Sequence, residues 1–293
     1  MNTPMIGINA INGIRPEELE HAVKTVAEFG FDCMEFNLSS VPLIVGGQVC
    51  PRMVEYVKEI FEKFPLKYTG HIGGGLNLRD LQEHDLHRAV LKSSIDICQM
   101  LGIDRLTLHF ENASPIEREE KAFFDAHVEA ADYAKDKGVL LLIENIEIED
   151  YRKVIDMVRR VDRDNFKMTL DIGHLNLSTR YFGGDFKQAV RECAPYVRHL
   201  HMSDNTGRFE KMRLENFAMY KTLNMGVRIA FGAGDIHLPP LWGDIPTRFV
   251  IETLKEHDYS GIFLCEYENE LYIPFGKDIQ QEVRAAVNDV YGQ

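Results

Sequence analysis

An aliphatic run at residues 139–143 (VLLLI) ends directly in Glu144, and this abrupt change constrains the fold more than any other stretch. Five consecutive aliphatic residues after Gly138 predict a strand that is buried on both faces, as the strands of a parallel sheet are. An ionised glutamate is costly to bury without a cation or a hydrogen-bond donor. We therefore expect Glu144 at the open end of its strand, facing a positively charged group.

The same pattern recurs along the chain, where short apolar runs alternate with segments of helical periodicity. Strands are predicted at residues 6–9, 31–36, 68–71, 105–109, 139–144, 166–170, 197–201 and 261–265. Helices are predicted at residues 16–29, 51–64, 86–101, 117–137, 150–161, 186–193, 247–256 and 279–290.

This alternation predicts an α/β fold, a single-domain (β/α)8 TIM barrel over residues 1–293. Parallel strands need crossover connections, and a closed sheet has no edge to protect. A doubly wound open sheet is the alternative, but residues 9–13 (NAING) after the first strand do not carry its glycine fingerprint.

The alternation breaks once, between the seventh strand and the helix predicted at 247–256. Residues 202–241 carry several glycines and prolines with little periodicity, which predicts a long loop in this position. Loops of this length are uncommon in compact domains and are usually functional. We expect substrate specificity to depend largely on this loop.

Composition restricts the partners and the compartment. The net charge of −13 disfavours a nucleic-acid partner, because an acidic surface repels a phosphate backbone. No apolar run approaches the roughly 18 residues that span a bilayer, so no membrane span is predicted. Residues 1–5 lack the basic and apolar regions of a secretory signal, and the five cysteines contain no Cys-x-x-Cys pair. We expect a cytoplasmic protein without a disulfide framework or a thiolate zinc site.

The chemistry of such barrels lies at the carboxyl ends of the strands. Every predicted strand end carries a polar residue, and the last six carry His, Asp or Glu: Asn9, Glu35, His71, His109, Glu144, Asp171, His201 and Glu266. Solvent exposure alone would also place Lys, Ser or Asn among them. Converging carboxylates repel each other unless a divalent cation neutralises them. The mixed oxygen and nitrogen set suits Mn²⁺, Zn²⁺, Co²⁺ or Mg²⁺, and no nucleotide cofactor is predicted.

Four motifs resemble the signatures of the xylose-isomerase-like barrel superfamily, which includes sugar isomerases, ketose 3-epimerases and endonuclease IV. In order along the chain, the motifs are residues 142–145 (LIEN), 170–174 (LDIGH), 199–204 (HLHMSD) and 265–268 (CEYE). The resemblance covers essentially the whole chain, and it implies the same barrel fold.

The resemblance also implies a metal ion held by Glu144, Asp171, His201 and Glu266. In the ketose epimerases, the two corresponding glutamates move protons on opposite faces of the substrate. The histidine three residues after the aspartate, here His174, contacts the substrate in those relatives.

Endonuclease IV suggests further metal ligands. His71 and His109 are similar to two histidines that bind a second metal there, together with the shared glutamate. That enzyme takes a third metal through an Asp-x-His before a Gly-x-Gly segment. Here residues 227–231 (VRIAF) precede Gly232-Ala233-Gly234, and Asp235-Ile236-His237 follows these glycines. This departure argues against a three-metal centre and leaves a two-metal centre open.

Two further residues are candidate substrate ligands. Glu35 lies at the second strand end, and Arg208 in the long loop could hold an oxyanion or a hydroxyl group. His199 lies two residues before His201 on the same side of its strand. We expect His199 to support the ligand rather than to bind the metal.

The favoured hypothesis is a divalent-metal-dependent isomerase or epimerase of a sugar or polyol-like ketose or aldose. Glu144 and Glu266 would transfer protons through an enediolate. One alternative is an endonuclease IV-like phosphodiesterase acting on abasic DNA. Another is an inositol-type ketone dehydratase, since elimination starts from the same proton abstraction. A barrel that binds metal without catalysis stays open, as does assembly into a homo-oligomer.

Overall fold

Eight parallel strands close into one barrel in the computed structural model, which describes residues 4–9 and 15–292. We label the barrel strands β1–β8 in chain order: Met5–Asn9, Cys33–Asn37, Lys67–Ile72, Arg105–His109, Leu140–Glu144, Phe166–Asp171, Val197–Met202 and Ile262–Cys265. Each strand pairs with the barrel strands that precede and follow it in chain order, and β1 pairs with β8 to close the sheet. The predicted TIM barrel is confirmed. Residues 10–13 carried most of the comparison with the glycine fingerprint, and they lie outside the described residues. Residues 1–3, which belong to the segment compared with a secretory signal, also lie outside them.

Helices surround the barrel. They are Leu19–Phe29, Pro51–Phe61, His84–Leu101, Glu117–Asp136, Tyr151–Val161, Ile172–Phe182, Phe186–Cys193, Met212–Glu215, Phe217–Tyr220, Met225–Phe231, Thr247–Glu256, Asn269–Tyr272 and Gly276–Tyr291. Short 3-10 segments are Pro16–Glu18, Ala194–Tyr196 and Ile273–Phe275.

Two of the elements that the sequence did not predict were missed for clear reasons. The helix Ile172–Phe182 was not predicted, because its first eight residues are all buried and so show no amphipathic period. A small antiparallel hairpin of Ile44–Val45 and Gln48–Val49 was also not predicted. Strands of two residues are too short to show a period.

The strands separate an outer apolar core from the barrel interior, because successive side chains point to opposite faces. Leu141 and Ile143 pack outward in the core beneath the helices. Inside the barrel, the hydroxyls of Thr107 and Thr169 are hydrogen-bonded at 3.0 Å. Residues two positions further along a strand face the same way, so the barrel interior presents ligand-type side chains at its carboxyl end.

The segment after β7 contains the short helices Met212–Glu215, Phe217–Tyr220 and Met225–Phe231, where the sequence predicted a long loop at 202–241. An antiparallel bridge between Asp204 and Leu238 closes the base of the segment. Their backbone N–H groups donate to each other's carbonyls at 2.9 and 3.0 Å. Across the described residues, no helix combines the length and the apolar character that crossing a bilayer requires.

Candidate metal centre and active site

The predicted strand-end residues meet at one end of the barrel, around a cavity of about 420 Å³. His109, Glu144 and Asp171 are the last residues of β4, β5 and β6, while Glu266 directly follows β8. Parallel strands in register bring their carboxyl ends to the same edge, so residues far apart in sequence converge here.

The first cluster consists of Glu144, Asp171, His201 and Glu266, with one ligand atom from each residue lying within 4.8 Å of the others. His201 Nδ1 is 2.8 Å from a Glu266 oxygen and 3.1 Å from Glu144 Oε1. The Glu144, Asp171 and His201 side chains are completely buried, and the Glu266 side chain is 15% exposed. The structure therefore brings together all four residues predicted as ligands.

The electrostatics of this first cluster suit a cation. Burial, reinforced by the charges of Glu266 and Glu144, raises the pKa of Asp171 to about 8. Its Oδ2 is buried and has no hydrogen-bond partner among the described residues. Burial opposes ionisation of Glu266, but the attraction of His201 outweighs it and lowers the pKa of Glu266 to about 2. A divalent ion would neutralise the carboxylates and use the unpartnered oxygen.

Glu35 lies behind His201 and touches the floor of the cavity. The Nε2 groups of His201 and His199 each lie 3.2 Å from a Glu35 oxygen. Burial opposes ionisation of Glu35, but these two histidines lower its pKa. A hydrogen bond from Nε2–H of His201 to Glu35 leaves Nδ1 free to bind a metal. Glu35 could orient His201 in this way, and because it also lines the cavity its role as a substrate ligand stays a prediction. The contact between His199 and Glu35 is compatible with the supporting role predicted for His199.

The second cluster consists of His71, His109 and Glu144. Glu144 Oε2 lies 3.2 Å from His71 Nε2 and 3.5 Å from His109 Nε2. The other Glu144 oxygen faces the first cluster, so one carboxylate joins the two clusters. Glu111 has a backbone φ of 58° and lies 3.5 Å from His109 Nδ1, on the far side of the ring from Glu144. Gly73 packs on both histidines, because an added Cβ would lie 3.0 Å from His71 and 3.2 Å from His109.

A third cluster of His174, Asp235 and His237 was not predicted. Asp235 Oδ2 lies 2.7 Å from His237 Nε2 and 3.3 Å from His174 Nε2. Asp235 Oδ1 is buried, with no hydrogen-bond partner in the described part of the chain. Burial opposes protonation of His237, but Asp235 outweighs it and raises the pKa of His237 to about 10. The position of Asp235-Ile236-His237 after the glycines gave no expectation of this group, and the argument against a three-metal centre stays a prediction.

The signal for this third cluster lies further along the same segment. Asp235-Ile236-His237 precedes Leu241-Trp242-Gly243, and Leu241 has a φ of 74°. This left-handed conformation favours glycine. Residues 241–243 therefore resemble a Gly-x-Gly segment with a leucine at its first position, and they follow Asp235-Ile236-His237.

Both histidines of the third cluster share one arrangement, in which a backbone carbonyl contacts the ring nitrogen that faces away from Asp235. His174 Nδ1 lies 2.9 Å from the Asn145 carbonyl oxygen, and His237 Nδ1 lies 3.3 Å from the Glu266 carbonyl oxygen. With Nδ1–H donated to a carbonyl, Nε2 of each ring faces Asp235, where a bound metal ion would replace the proton shared with the carboxylate. Such hydrogen bonds fix the tautomer and the orientation of metal-binding histidines.

Of the three arginines in the segment after β7, the structure brings Arg213 to the cavity, while Arg208, the predicted substrate ligand, and Arg228 do not line it. Arg208 is exposed and donates a hydrogen bond to the Phe231 carbonyl at 3.0 Å. His174 lines the cavity, where the predicted substrate contact would require it.

Comparisons with known proteins agree with this architecture. The profile of the family described as xylose isomerase-like TIM barrel matches residues 23–288, and the chain belongs to this family. An uncharacterised protein of Methanocaldococcus jannaschii is 21% identical over 94% of this chain and 87% of its own length. The crystal structure of a D-tagatose 3-epimerase-like protein is similar with a TM-score of 0.71 and 20% identity, covering 97% of this chain and 98% of that one. A xylose isomerase-like TIM barrel protein from Mycobacterium smegmatis, in complex with magnesium, has a TM-score of 0.72 and 16% identity, with 99% of each chain covered.

Proposed function

We propose that this chain is a divalent-metal-dependent isomerase or epimerase of a sugar or polyol-like ketose or aldose. The observation that carries the proposal is the buried first cluster, whose Glu266 lines a cavity of about 420 Å³, a volume that suits a sugar-sized molecule. The name of the D-tagatose 3-epimerase-like structure and the magnesium in the M. smegmatis structure support the substrate class and the need for a metal.

The residues present fit a divalent ion. Glu144, Asp171, His201 and Glu266 supply oxygen and nitrogen ligands without sulfur, a set that suits Mg²⁺, Mn²⁺, Co²⁺ or Zn²⁺. A bound ion would polarise a substrate carbonyl and an adjacent hydroxyl and so make the intervening C–H bond more acidic.

The protein's own part is to move the proton. Glu266 is the partly exposed member of the first cluster and lines the cavity, where its carboxylate would accept the proton from the carbon that the bound ion makes more acidic. Glu144 is fully buried beside it and would return the proton on the other face of the substrate. His174, on the cavity wall, would hold a substrate hydroxyl group.

Exchange of carbon-bound hydrogen with solvent tests the proposal. The metal-reconstituted protein is incubated with a panel of ketoses and aldoses in D₂O, and deuterium incorporation is followed by NMR. Glu144→Gln and Glu266→Gln should each abolish exchange, while circular dichroism shows an unchanged fold. Glu270→Gln, on the exposed surface, is the matched control and should exchange as the wild type does. Undiminished exchange in both cavity variants would refute the assignment.

A specific observation favours a second candidate, hydrolysis of a phosphate ester. The two oxygens of Glu144 face different ligand clusters, and His174, Asp235 and His237 form a third. Centres with more than one metal often stabilise both the attacking and the leaving oxygen of a phosphoryl group. The net charge of −13 opposes DNA as the substrate.

Metal stoichiometry and a phosphodiesterase assay distinguish the two candidates. One tightly bound ion per chain and no hydrolysis of bis(4-nitrophenyl) phosphate or of an abasic duplex support the isomerase or epimerase. Two or three ions, one of them lost selectively in a His71→Ala variant, together with hydrolysis of either ester, would place the second candidate first.

A further inference from the structure

Among the described residues, the positively charged Lys and Arg side chains that line the cavity come from one short segment of the chain. Arg213 and Lys221 are the Lys or Arg side chains among the described residues that line the cavity, and both belong to residues 212–221, which we call the cap segment. The ligand clusters contribute carboxylates and histidines to the same cavity. Arg213 and Lys221 do not belong to these clusters, so metal binding does not explain why they line the cavity.

Arg213 is held in place and keeps donors free. Its Nε donates a hydrogen bond to Glu147 Oε1 at 2.8 Å, and the guanidinium lies 4.9 Å from the ring centroid of Phe217 and 5.6 Å from that of Tyr220. The two terminal amino groups make no hydrogen bond to any residue that the structure describes. A guanidinium fixed through Nε presents the remaining donors as a fork, the geometry that carboxylates and phosphates match.

Lys221 lies close to Arg213. Its ammonium is 4.9 Å from the same Phe217 ring, so the two cationic groups are at most about 10 Å apart. Within the described ranges 4–9 and 15–292, Lys221 has no ion-pair partner. Two positive charges kept near each other repel unless an anion lies between them, and Glu147 contacts only the arginine.

We propose that Arg213 and Lys221 bind a phosphate group on the substrate, so that the enzyme acts on a phosphorylated sugar. This inference rests on the proposed isomerase or epimerase function, since it names the substrate class of that same site. The first cluster takes the carbonyl end of the substrate, and the cap segment takes the phosphate. In a protein with a net charge of −13, a phosphate dianion requires such a local positive site, because the overall field repels it.

Calorimetric titration of the full-length, metal-loaded protein tests the inference without requiring turnover. The probes are D-fructose 6-phosphate, D-fructose and inorganic phosphate. We expect the phosphorylated sugar to bind at least tenfold more tightly than fructose. Lys221→Gln and Arg213→Gln should each weaken binding of the phosphorylated sugar about tenfold and leave binding of fructose unchanged. Lys221 is exposed, so its variant tests the idea even if Arg213→Gln loosens the cap segment.

Lys211→Gln is the matched control, because Lys211 is an exposed lysine next to the cap segment that does not line the cavity. An equal loss in this control would reduce the effect to overall charge and overturn the inference. Equal affinities of the wild type for D-fructose 6-phosphate and D-fructose would also overturn it. Loss of inorganic phosphate binding after removal of the metal with a chelator would do the same, because the phosphate would then bind to the metal. Tight, Lys221-dependent binding without any hydrogen exchange would support the phosphate site and refute the proposed reaction.

Discussion

His127, on the helix Glu117–Asp136, makes the fold sensitive to acid. Its side chain is completely buried, with Nδ1 only 2.7 Å from the Phe123 carbonyl oxygen and its ring 4.3 Å from that of Phe123 and 5.7 Å from that of Phe166. Nδ1–H donates to the carbonyl, and the apolar surroundings disfavour the imidazolium. Burial therefore lowers the pKa of His127 to about 4.

The sign and the size of the effect follow from linkage. Because the folded pKa lies below the unfolded value of 6.5, this histidine stabilises the fold fully above pH 6.5, and its contribution is lost as the pH falls toward 4. The difference between the two pKa values corresponds to about 3 kcal/mol of unfolding free energy. By pH 5, about 2 kcal/mol of this should already be lost.

Urea denaturation at pH 7.5, 6 and 5 measures this contribution. All samples contain a chelator, so that proton-linked metal binding does not enter. Relative to the His127→Gln variant, which is neutral at every pH, the wild type should lose about 2 kcal/mol of stability between pH 7.5 and pH 5. His21→Gln, at an exposed position, should follow the wild type. If the wild type and His127→Gln lose stability in parallel, burial of a neutral His127 is not the source of acid sensitivity.

Three further changes have expected outcomes. Glu35→Gln should weaken metal binding at the first cluster about 10- to 100-fold, because it removes the negative charge and one of the two acceptor oxygens that face His201 and His199. Competition with a chelating dye measures this, and unchanged affinity would contradict the role. Gly173→Ala should destabilise the fold by about 1–3 kcal/mol, since its Cβ would lie 2.0 Å from Ser203 Oγ; in thermal denaturation, the double variant with Ser203→Ala should recover most of the loss, and no recovery would exclude this clash as the cause. Leu241→Gly should stabilise the fold by about 0.5–1 kcal/mol, because it relieves the strain of a leucine in a left-handed conformation. Urea denaturation measures this, and a lower midpoint of unfolding would show that the leucine side chain contributes more than the strain costs.

The barrel and the first cluster could be predicted because both follow from local patterns. Each strand is a short apolar run that ends in a polar residue, and parallel register alone brings Glu144, Asp171, His201 and Glu266 together. The helix Thr247–Glu256 was predicted with the bounds that the structure has, since its apolar residues recur at helical spacing.

What could not be predicted depends on contacts made by an aperiodic segment. Asp235 approaches His174 across 61 positions of sequence, and no periodicity records that contact. Periodicity also does not show whether Arg208 or Arg213 lines the cavity. Both lie after β7, and only the packing of the short helices decides which one faces the cavity.

The potential metal ligands and the positively charged residues around the cavity come from different parts of the chain, and this has an evolutionary consequence. The residues of the first two clusters stand on barrel strands or directly after one, whereas Arg213, Lys221, Phe217 and Tyr220 of the cavity wall come from residues 212–221. Insertions or substitutions in one surface segment can therefore alter which molecules enter while the reacting centre is inherited intact. Exchanging residues 212–221 between members of the family is a direct route to new substrate preferences on an unchanged barrel.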